Sequence, residues 1–203
     1  MTDATPGEPR DDGPHELADR PMEWPVVSSH DLHRDDWVVA LREDVITRPG
    51  HPDEFSRLSL EHPGAVVVLA VDDDERVMCL RQYRHTNRHE FVELPAGLRD
   101  AGDEPSVETA KRELREEVEL EASDWRLLLS TFGSAGISTE VHEIFLARGL
   151  SHAPRGDFEM ERFWVPMADL LEAVLEGRVR QGPLAQAVLA YDVLKRRGAL
   201  DTP

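Results

Sequence analysis

The sequence has a single cysteine and no long apolar stretch, and each shortage excludes a class of protein. Cys79 has no second cysteine with which to form a disulfide, and its apolar neighbours predict a buried strand residue. The longest apolar run, Ala65 to Val71, is too short to cross a bilayer, and no apolar stretch follows the first residues. We therefore expect a soluble, cytoplasmic protein that has no disulfide framework and no membrane contact.

Basic residues are scarce relative to acidic ones. The 203 residues include 23 Lys and Arg against 41 Asp and Glu, which gives a formal net charge of -18. Nucleic-acid binding draws its affinity from cations on phosphates, so this balance disfavours DNA or RNA as a partner. A small anionic ligand is compatible with the charge if a local cationic patch or a bound metal offsets it.

The chain divides into three segments. Residues 1–22 are rich in Pro, Gly and acids and lack hydrophobic periodicity, which predicts a disordered acidic tail. Residues 23–62 contain strand-like runs at 37–46 and 55–60, which predict an N-terminal antiparallel β segment. Residues 63–203 hold the remaining elements, and 40% hydrophobic residues in the chain suffice for a core.

The third segment mixes strands and helices. The β-branched runs 64–71 and 76–83, separated by four acidic residues, predict a hairpin whose strands reach the core. Further strands are predicted at 91–94, 126–132, 141–147 and 163–165, and helices at 105–118, 167–176 and 184–197. This order predicts an α/β fold of the α+β type, in which helices sandwich a mixed β-sheet.

The helix at 105–118 carries a cluster of carboxylates. Glu113, Glu116 and Glu117 fall within an arc of about 100° that borders the apolar stripe of the helix. Two carboxylates about 4 Å apart repel by about 4 kcal/mol at an effective dielectric near 20. Hard divalent cations suit such oxygen-rich clusters, and Mg²⁺ is commonly held by one or two carboxylates. The cluster therefore predicts a magnesium site.

Composition alone leaves a second interpretation open, namely a solvated acidic face neutralised by Lys111, Arg112 and Arg115. The wider pattern favours the metal site. It reads Glu93-Leu94-Pro95-Ala96-Gly97, then a polar loop, then Arg112-Glu113-Leu114-Arg115-Glu116-Glu117. It resembles the Nudix box, which runs Gly, five residues, Glu, seven residues, then Arg-Glu-(apolar)-x-Glu-Glu-x-Gly-(apolar). The resemblance implies the Nudix fold and Nudix hydrolase chemistry.

The sequence departs from that pattern at two positions. Glu104 keeps the seven-residue gap before Arg112 but lies six residues after Gly97, whereas Asp103 has the other spacing. An extra loop residue costs little closure entropy, so we match Glu104 to the box. Glu119 replaces the glycine near the helix end, where positive φ is favoured, and we expect the helix to end differently here.

The resemblance assigns roles to the box residues. By similarity, Glu113 and Glu117 ligate Mg²⁺, for which Mn²⁺ is able to substitute, and the Ala96 carbonyl completes the first site. Glu116 ligates or positions a second ion, and Arg112 orients the glutamates. The implied reaction is hydrolysis of a diphosphate by a metal-activated water, without a covalent enzyme intermediate.

Motifs outside the box resemble the ADP-ribose pyrophosphatase branch of this family. They are Leu80-Arg81-Gln82-Tyr83-Arg84 and Ser138-Thr139-Glu140. In that branch a glutamate on a mobile loop assists the attacking water, and Glu140 is the candidate here. Arg84 best matches the phosphate-contacting arginine, while Arg81 and Glu93 are further substrate-binding candidates. The alternative for Glu140 is an ordinary loop glutamate. The alternative for the arginines is that they are solvated charges at a strand end.

The resemblance favours ADP-ribose, cleaved to AMP and ribose 5-phosphate, as the substrate. The box itself does not separate this compound from GDP-mannose, another nucleotide sugar, NADH or a dinucleoside polyphosphate. A non-catalytic nucleotide sensor is the rival from another class, but it predicts loss of box glutamates. The N-terminal β segment resembles a part that this branch exchanges between subunits, so we expect a homodimer. For Trp37 in this segment we favour core or interface packing, with stacking on adenine as the alternative.

Overall fold

The computed structural model describes residues 17–36, 39–100, 102–154 and 160–200. Among them the chain forms ten strands: β1 (Val26–Arg34), β2 (Ala40–Thr47), β3 (Glu54–Glu61), β4 (Ala65–Ala70), β5 (Arg76–Arg84), β6 (His89–Glu93), β7 (Ala96–Leu98), β8 (Leu120–Phe132), β9 (Val141–His152) and β10 (Arg162–Pro166). It also forms three helices: α1 (Ser106–Val118), α2 (Met167–Leu175) and α3 (Gly182–Arg196). Of the predicted tail, residues 1–16 lie outside the described residues, as does Trp37, while 17–22 have neither helix nor strand.

Strand β4 lies at the centre of the fold, because both of its faces are buried. Val67 and Leu69 belong to a core cluster shared with α2 and α3, through residues such as Leu184. Val66 and Val68, on the opposite face, belong to a second cluster that is shared with α1. Helices therefore cover both faces of the strand layer, which confirms the predicted α/β/α sandwich.

Three sheets make up the strand layer and its extension. The central sheet has the order β7-β4-β9-β8 and is mixed, since β4 runs parallel to β9 while its other ladders are antiparallel. The second sheet has the order β10-β5-β6, and the third has the order β1-β2-β3. The third sheet is the predicted N-terminal antiparallel β segment.

The hairpin predicted for 64–71 and 76–83 is wrong in its pairing. The two strands form, but β4 and β5 belong to different sheets and are joined by one isolated bridge, Val71 to Val77. One edge of β4 pairs with β7 and the other with β9, so no edge is left for β5. Apolar periodicity identifies a strand but does not say which strand pairs with it.

Strand β5 also has both faces in the core, which accounts for the single cysteine. Cys79 is fully buried as predicted, and burial raises the pKa of its thiol to about 12. The thiolate is the nucleophilic form of cysteine, so at neutral pH this side chain is inert and serves as a small apolar group. Within the described parts of the chain, no helix has the length and apolar character needed to cross a membrane.

Helix α1 ends at Glu119 in the conformation that a glycine would adopt there. The expectation that Glu119 makes the helix end differently is therefore wrong. Glu119 adopts the left-handed conformation, with φ 57° and ψ 39°, and its N–H donates to carbonyls of the last turn. A non-glycine residue in this region carries a steric cost of roughly 1–2 kcal/mol. The Glu119 carboxylate accepts a 2.6 Å hydrogen bond from Arg162 Nη2 on β10, which neutralises its charge at the helix C-terminus.

Two substitutions at Glu119 separate backbone strain from the ion pair. Glu119→Ala loses the Arg162 contact and keeps the strain, so we expect the free energy of unfolding to fall by up to about 1 kcal/mol. Glu119→Gly loses the same contact but relieves the strain. We therefore expect its free energy of unfolding to exceed that of the alanine variant by about 1 kcal/mol. Urea unfolding of the three proteins measures both differences, and a glycine variant less stable than the alanine variant would contradict this account.

Candidate active site

An open cleft with a volume of about 920 Å³ lies between α1, the β5–β6 turn and the start of α3. It gathers side chains that are far apart in sequence, because the strand layer brings the ends of several elements to one place. Seven of the nine predicted site residues line it, namely Arg84, Glu93, Ala96, Arg112, Glu113, Glu117 and Glu140. The other two, Arg81 and Glu116, do not belong to the lining.

The floor of the cleft is formed where α1 meets the start of β7. Glu113 and Glu117 lie one helical turn apart on α1, and the Ala96 N–H donates to Glu117 Oε2 over 2.9 Å. Gly97 lies so close to Glu113 that a Cβ atom there would come within 2.1 Å of Glu113 Cδ. Gly97 is thus required by this close approach, which lets the helix carboxylates reach the strand.

Burial gives these carboxylates unusual proton affinities. Burial, which is the largest cause, and the neighbouring Glu113 charge together raise the pKa of Glu117 to about 7, against the lowering effect of the Ala96 N–H. Burial also raises the pKa of Glu113, against the lowering effect of Arg112. The cleft therefore concentrates carboxylates whose negative charge is incompletely compensated by the protein.

The donor chemistry of this pair fits a divalent cation. Among the residues that the structure describes, no three His, Cys, Asp or Glu side chains form a group that could hold a metal ion. Mg²⁺ does not need such a cage, because it is usually bound by one or two carboxylates, water and substrate phosphate. Glu113, Glu117 and the neighbouring backbone of Ala96 supply oxygen atoms of this kind.

Arg112 contacts two glutamates that follow it on α1. Its Nη1 lies 2.7 Å from Glu113 Oε1 and 3.3 Å from Glu116 Oε2. The contact with Glu113 orients that carboxylate at the edge of the cleft. Glu116 is exposed, and Arg112 binds its carboxylate outside the cleft lining. Glu104, the matched box acid, lies near this site and accepts a 2.8 Å hydrogen bond from the buried Thr109 hydroxyl.

The Arg84 and Glu93 side chains form a bidentate ion pair on the opposite wall. Arg84 Nε and Nη2 donate to the two Glu93 oxygens over 2.9 and 2.6 Å, across the β5–β6 ladder. The Glu93 carboxylate is almost fully buried and raises the pKa of Arg84. A guanidinium has five N–H donors, so this pairing fixes Arg84 and leaves three donors for a ligand.

Arg81 is directed away from this wall. Its guanidinium lies 3.2 Å from Glu161 and 5.1 Å from the Phe163 ring centroid, on the side of β10. The reason is the period of a strand, because residues three apart, such as Arg81 and Arg84, project to opposite faces. The structure thus does not bring Arg81 together with the other predicted residues.

Glu140 enters the cleft from the segment that precedes β9. This segment, predicted as a mobile loop, is hydrogen-bonded to the end of β3. Leu60 N donates to Ile137 O over 2.6 Å, Thr139 N donates to Leu60 O over 3.0 Å, and His62 N donates to Thr139 Oγ1 over 2.9 Å. The third sheet therefore holds the Glu140 segment in place.

The sequence analysis did not single out several other cleft residues, among them His62, His142, Arg180 and Gln181. His142 Nε2 lies 3.0 Å from Glu140 Oε1, and His62 Nδ1 lies 3.7 Å from the same atom. The period of two in an extended chain puts Glu140 and His142 on one face, a signal that the sequence contained. Gln181 caps α3, since its side chain accepts from Leu184 N over 2.7 Å.

The chain is similar to known proteins over most of its length. The sequence profile described as the NUDIX domain matches residues 61–187. The chain is 38% identical over 170 residues to the ADP-ribose pyrophosphatase of Mycobacterium tuberculosis, which covers 81% of each chain. It is 30% identical over 149 residues to the GDP-mannose pyrophosphatase of Klebsiella pneumoniae, which covers 68% of this chain and 73% of that one.

A solved structure supports the fold independently. It is described as the crystal structure of an ADP compounds hydrolase, and it superposes with a TM-score of 0.71 at 18% sequence identity. The superposition covers 90% of this chain and 100% of the other chain. At this level of identity the likeness concerns the fold alone.

The raised pKa of Glu117 predicts a pH-dependent stability of the metal-free protein. Between pH 4.5 and about 7 the folded chain keeps a proton that the unfolded chain has lost, so stability falls as pH rises through this window. Glu117→Gln cannot ionise and lacks this loss. We expect the free energy of unfolding of this variant to exceed that of the parent by on the order of 1–3 kcal/mol at pH 8 with chelator. At pH 4.5 the two values should differ little.

Chemical denaturation at several pH values measures this difference in the free energy of unfolding. Glu108→Gln is the matched control, because Glu108 is an exposed carboxylate on the same helix. The control variant should follow the parent at every pH. A Glu117→Gln variant with the same pH dependence as the parent would show that Glu117 is not buried as described.

Proposed function

The chain belongs to the NUDIX domain family and is a Nudix pyrophosphohydrolase that acts on nucleoside diphosphate compounds, and from this premise we propose that it is a magnesium-dependent ADP-ribose diphosphatase. The proposed products are AMP and ribose 5-phosphate. The observation that carries the proposal is the cleft itself, in which Glu113 and Glu117 lie together with Arg84 and Glu140. The choice of substrate is supported by the 38% identity to the mycobacterial ADP-ribose pyrophosphatase.

Glu113, Glu117 and the Ala96 carbonyl are the proposed ligands of Mg²⁺. When bound, the ion neutralises the diphosphate and lowers the pKa of the attacking water. The fit rests on carboxylates that the protein leaves undercompensated, as the raised pKa values of Glu113 and Glu117 indicate. Mn²⁺ is able to substitute, because it accepts the same oxygen ligands. Glu116 can serve a second ion only if it exchanges its contact with Arg112 for that ion.

The side chains of the protein have separate tasks in the proposed reaction. Arg84 offers its three free donors to phosphate oxygens, while Glu93 keeps the guanidinium in place. Arg112 orients Glu113. Glu140 acts as general base and accepts a proton from the attacking water. The water oxygen forms a bond to one phosphorus as the bond from that phosphorus to the bridging oxygen breaks, which releases two phosphomonoesters.

GDP-mannose is the second candidate substrate, favoured by the similarity to the Klebsiella enzyme. The same chemistry also suits another nucleotide sugar, NADH or a dinucleoside polyphosphate, because all of them contain the diphosphate on which the site acts. A sensor without turnover is disfavoured by the retention of Glu113, Glu116 and Glu117 in the chain. Its signature would be a nucleotide that stays bound and intact in the presence of Mg²⁺.

A homodimer in the cytoplasm is the proposed working form. The apolar side chains of Val26, Val27 and Leu32 on β1 and of Leu58 on β3 are about half exposed in the single chain. A second copy of the chain that covers the third sheet would bury these groups and contribute roughly 25 cal/mol for each Å² of apolar surface.

The boundaries proposed for the three segments, 1–22, 23–62 and 63–203, also remain predictions.

A substrate panel tests the proposed activity. ADP-ribose, GDP-mannose, NADH and a dinucleoside polyphosphate are incubated with the protein and Mg²⁺, with and without chelator, and the products are identified chromatographically. We expect AMP and ribose 5-phosphate to form fastest from ADP-ribose, and the reaction to stop with chelator. Faster cleavage of another compound keeps the chemistry and changes the substrate, while no turnover of any of the four contradicts the enzyme assignment.

Two glutamine variants separate the metal ligand from the base. Glu117→Gln removes a charged ligand, and we expect turnover to fall by more than about 100-fold with folding intact. Glu140→Gln removes the base, and we expect the rate to fall by roughly 10²-fold or more while the Mg²⁺ concentration for half-maximal activity stays the same. Glu108→Gln serves as the control on α1. Activity of Glu117→Gln within tenfold of the parent, or an unchanged rate for Glu140→Gln, contradicts the corresponding assignment.

A further inference from the structure

We propose that His142 is a positioning residue that holds the Glu140 carboxylate in the cleft by donating a hydrogen bond from Nε2. This inference deepens the proposed function and rests on the role of Glu140 as the general base. His142 is the second residue of β9, so its backbone belongs to the central sheet. Glu140 lies two residues earlier, in the segment that precedes β9 and is hydrogen-bonded to the end of β3. The central sheet thus anchors the ring beside a carboxylate that lies outside the sheet.

The His142 ring lies close enough to Glu140 for a hydrogen bond between Nε2 and Oε1. His142 Nε2 lies 3.0 Å from Glu140 Oε1, within the usual range for a nitrogen donor and an oxygen acceptor. The His142 side chain is nine-tenths buried, and its other nitrogen, Nδ1, has no hydrogen-bond partner within the described part of the chain. The ring therefore has one polar contact there, which is the Glu140 carboxylate.

Burial of Nδ1 decides which nitrogen carries the proton. With the proton on Nδ1, a buried donor would lack an acceptor, and the Nε2 lone pair would face the negative Glu140 oxygen. With the proton on Nε2, the ring donates to the carboxylate, and only an acceptor is left without a partner. The neutral Nε2–H form is therefore the one that fits this site.

Gly133 provides the space that the His142 ring occupies. A Cβ atom at Gly133 would lie 2.7 Å from His142 Cε1 and 3.3 Å from both His142 Nδ1 and Glu140 Oε2. Gly133 N also donates to Glu140 O over 3.2 Å. The absence of a side chain at this position thus lets the imidazole pack beside the carboxylate that it holds.

His62 lies near the same carboxylate but cannot take this role. Its Nδ1 is 3.7 Å from Glu140 Oε1, which is too long for a hydrogen bond, and it accepts the Gly64 N–H over 3.1 Å. A nitrogen that accepts from Gly64 has no proton to donate to Glu140. Among the described residues, His142 is therefore the histidine that can donate a hydrogen bond to this carboxylate.

The contact affects where the Glu140 charge is directed. Arg84 lines the same cleft, and Glu140 is close enough to raise its pKa. A carboxylate that was free to rotate would be drawn toward this guanidinium, which would occupy both the base and the phosphate-binding donors. A hydrogen bond from His142 opposes that movement and keeps the base in one orientation, so that less conformational freedom is lost at the moment of reaction.

Three variants test the role of His142 with ADP-ribose as the substrate. For His142→Leu, which has no donor, we expect kcat to fall by roughly 10- to 100-fold with KM within about threefold. His142→Gln retains an N–H donor at a similar distance along the side chain, and we expect it to recover most of the lost kcat. His152→Leu is the matched control, because His152 is exposed at the other end of β9, and its kcat should equal that of the parent.

A double variant separates positioning from general damage to the fold. If His142 acts through Glu140, His142→Leu should cause no further loss in a Glu140→Gln background. Additive losses would overturn the proposal, as would a kcat for His142→Gln no higher than that for His142→Leu. A Glu140→Gln variant that is as fast as the parent would instead remove the base role, and with it the role proposed for His142.

Imidazole ¹⁵N NMR of the intact protein gives a readout that does not need turnover. We expect the His142 ring to be protonated on Nε2, and this signal to shift in Glu140→Gln. Protonation on Nδ1 would overturn the proposal whatever the activity. If none of the panel substrates is hydrolysed, the proposed function fails, while the NMR spectrum still decides whether His142 donates to Glu140.

Discussion

The close approach of α1 to the start of β7 is the contact on which the cleft depends. Gly97 leaves room for the Glu113 carboxyl group, and the Ala96 N–H donates to Glu117, so two acidic side chains are buried together against a strand. Burial and mutual repulsion oppose ionisation of both groups. The arrangement is thus least stable when the glutamates are charged and uncompensated, which is the state in which a cation binds them best. The core on both sides of β4 holds the helix at this distance.

The electrostatics of the cleft are local rather than global. The chain has a formal charge of -18, yet its diphosphate substrates are also anionic. Two of the cleft arginines are paired with glutamates, Arg84 with Glu93 and Arg112 with Glu113. These pairs fix the direction of the guanidinium groups without using all of their donors. Attraction of an anionic substrate then depends on a few oriented groups rather than on the charge of the surface.

Sequence patterns predicted most of the strands, the three helices and the helix-borne part of the site, but not β1, β7 or the contacts between distant segments. Glu113 and Glu117 could be placed together because a helix fixes the spacing of its own residues. The partner of β4 could not be predicted, since a strand with two apolar faces reads the same beside any neighbour. The structure puts Arg81 on the face of β5 opposite to Arg84, because a strand alternates its faces and closeness in sequence does not give closeness in space. His142 was missed although the same alternation puts it beside Glu140.

The hydrogen bonds between the Glu140 segment and the end of β3 have a thermodynamic consequence. Leu60 N donates to Ile137 O, and Leu60 O accepts from Thr139 N. Ordering of the Glu140 segment and ordering of the β3 end are therefore coupled in one equilibrium. Linkage between such states is reciprocal. A ligand that binds more tightly when the segment is docked must therefore stabilise the docked β3 end by the same free energy. Whatever packs on the third sheet and favours that docked end must in turn increase the affinity for that ligand.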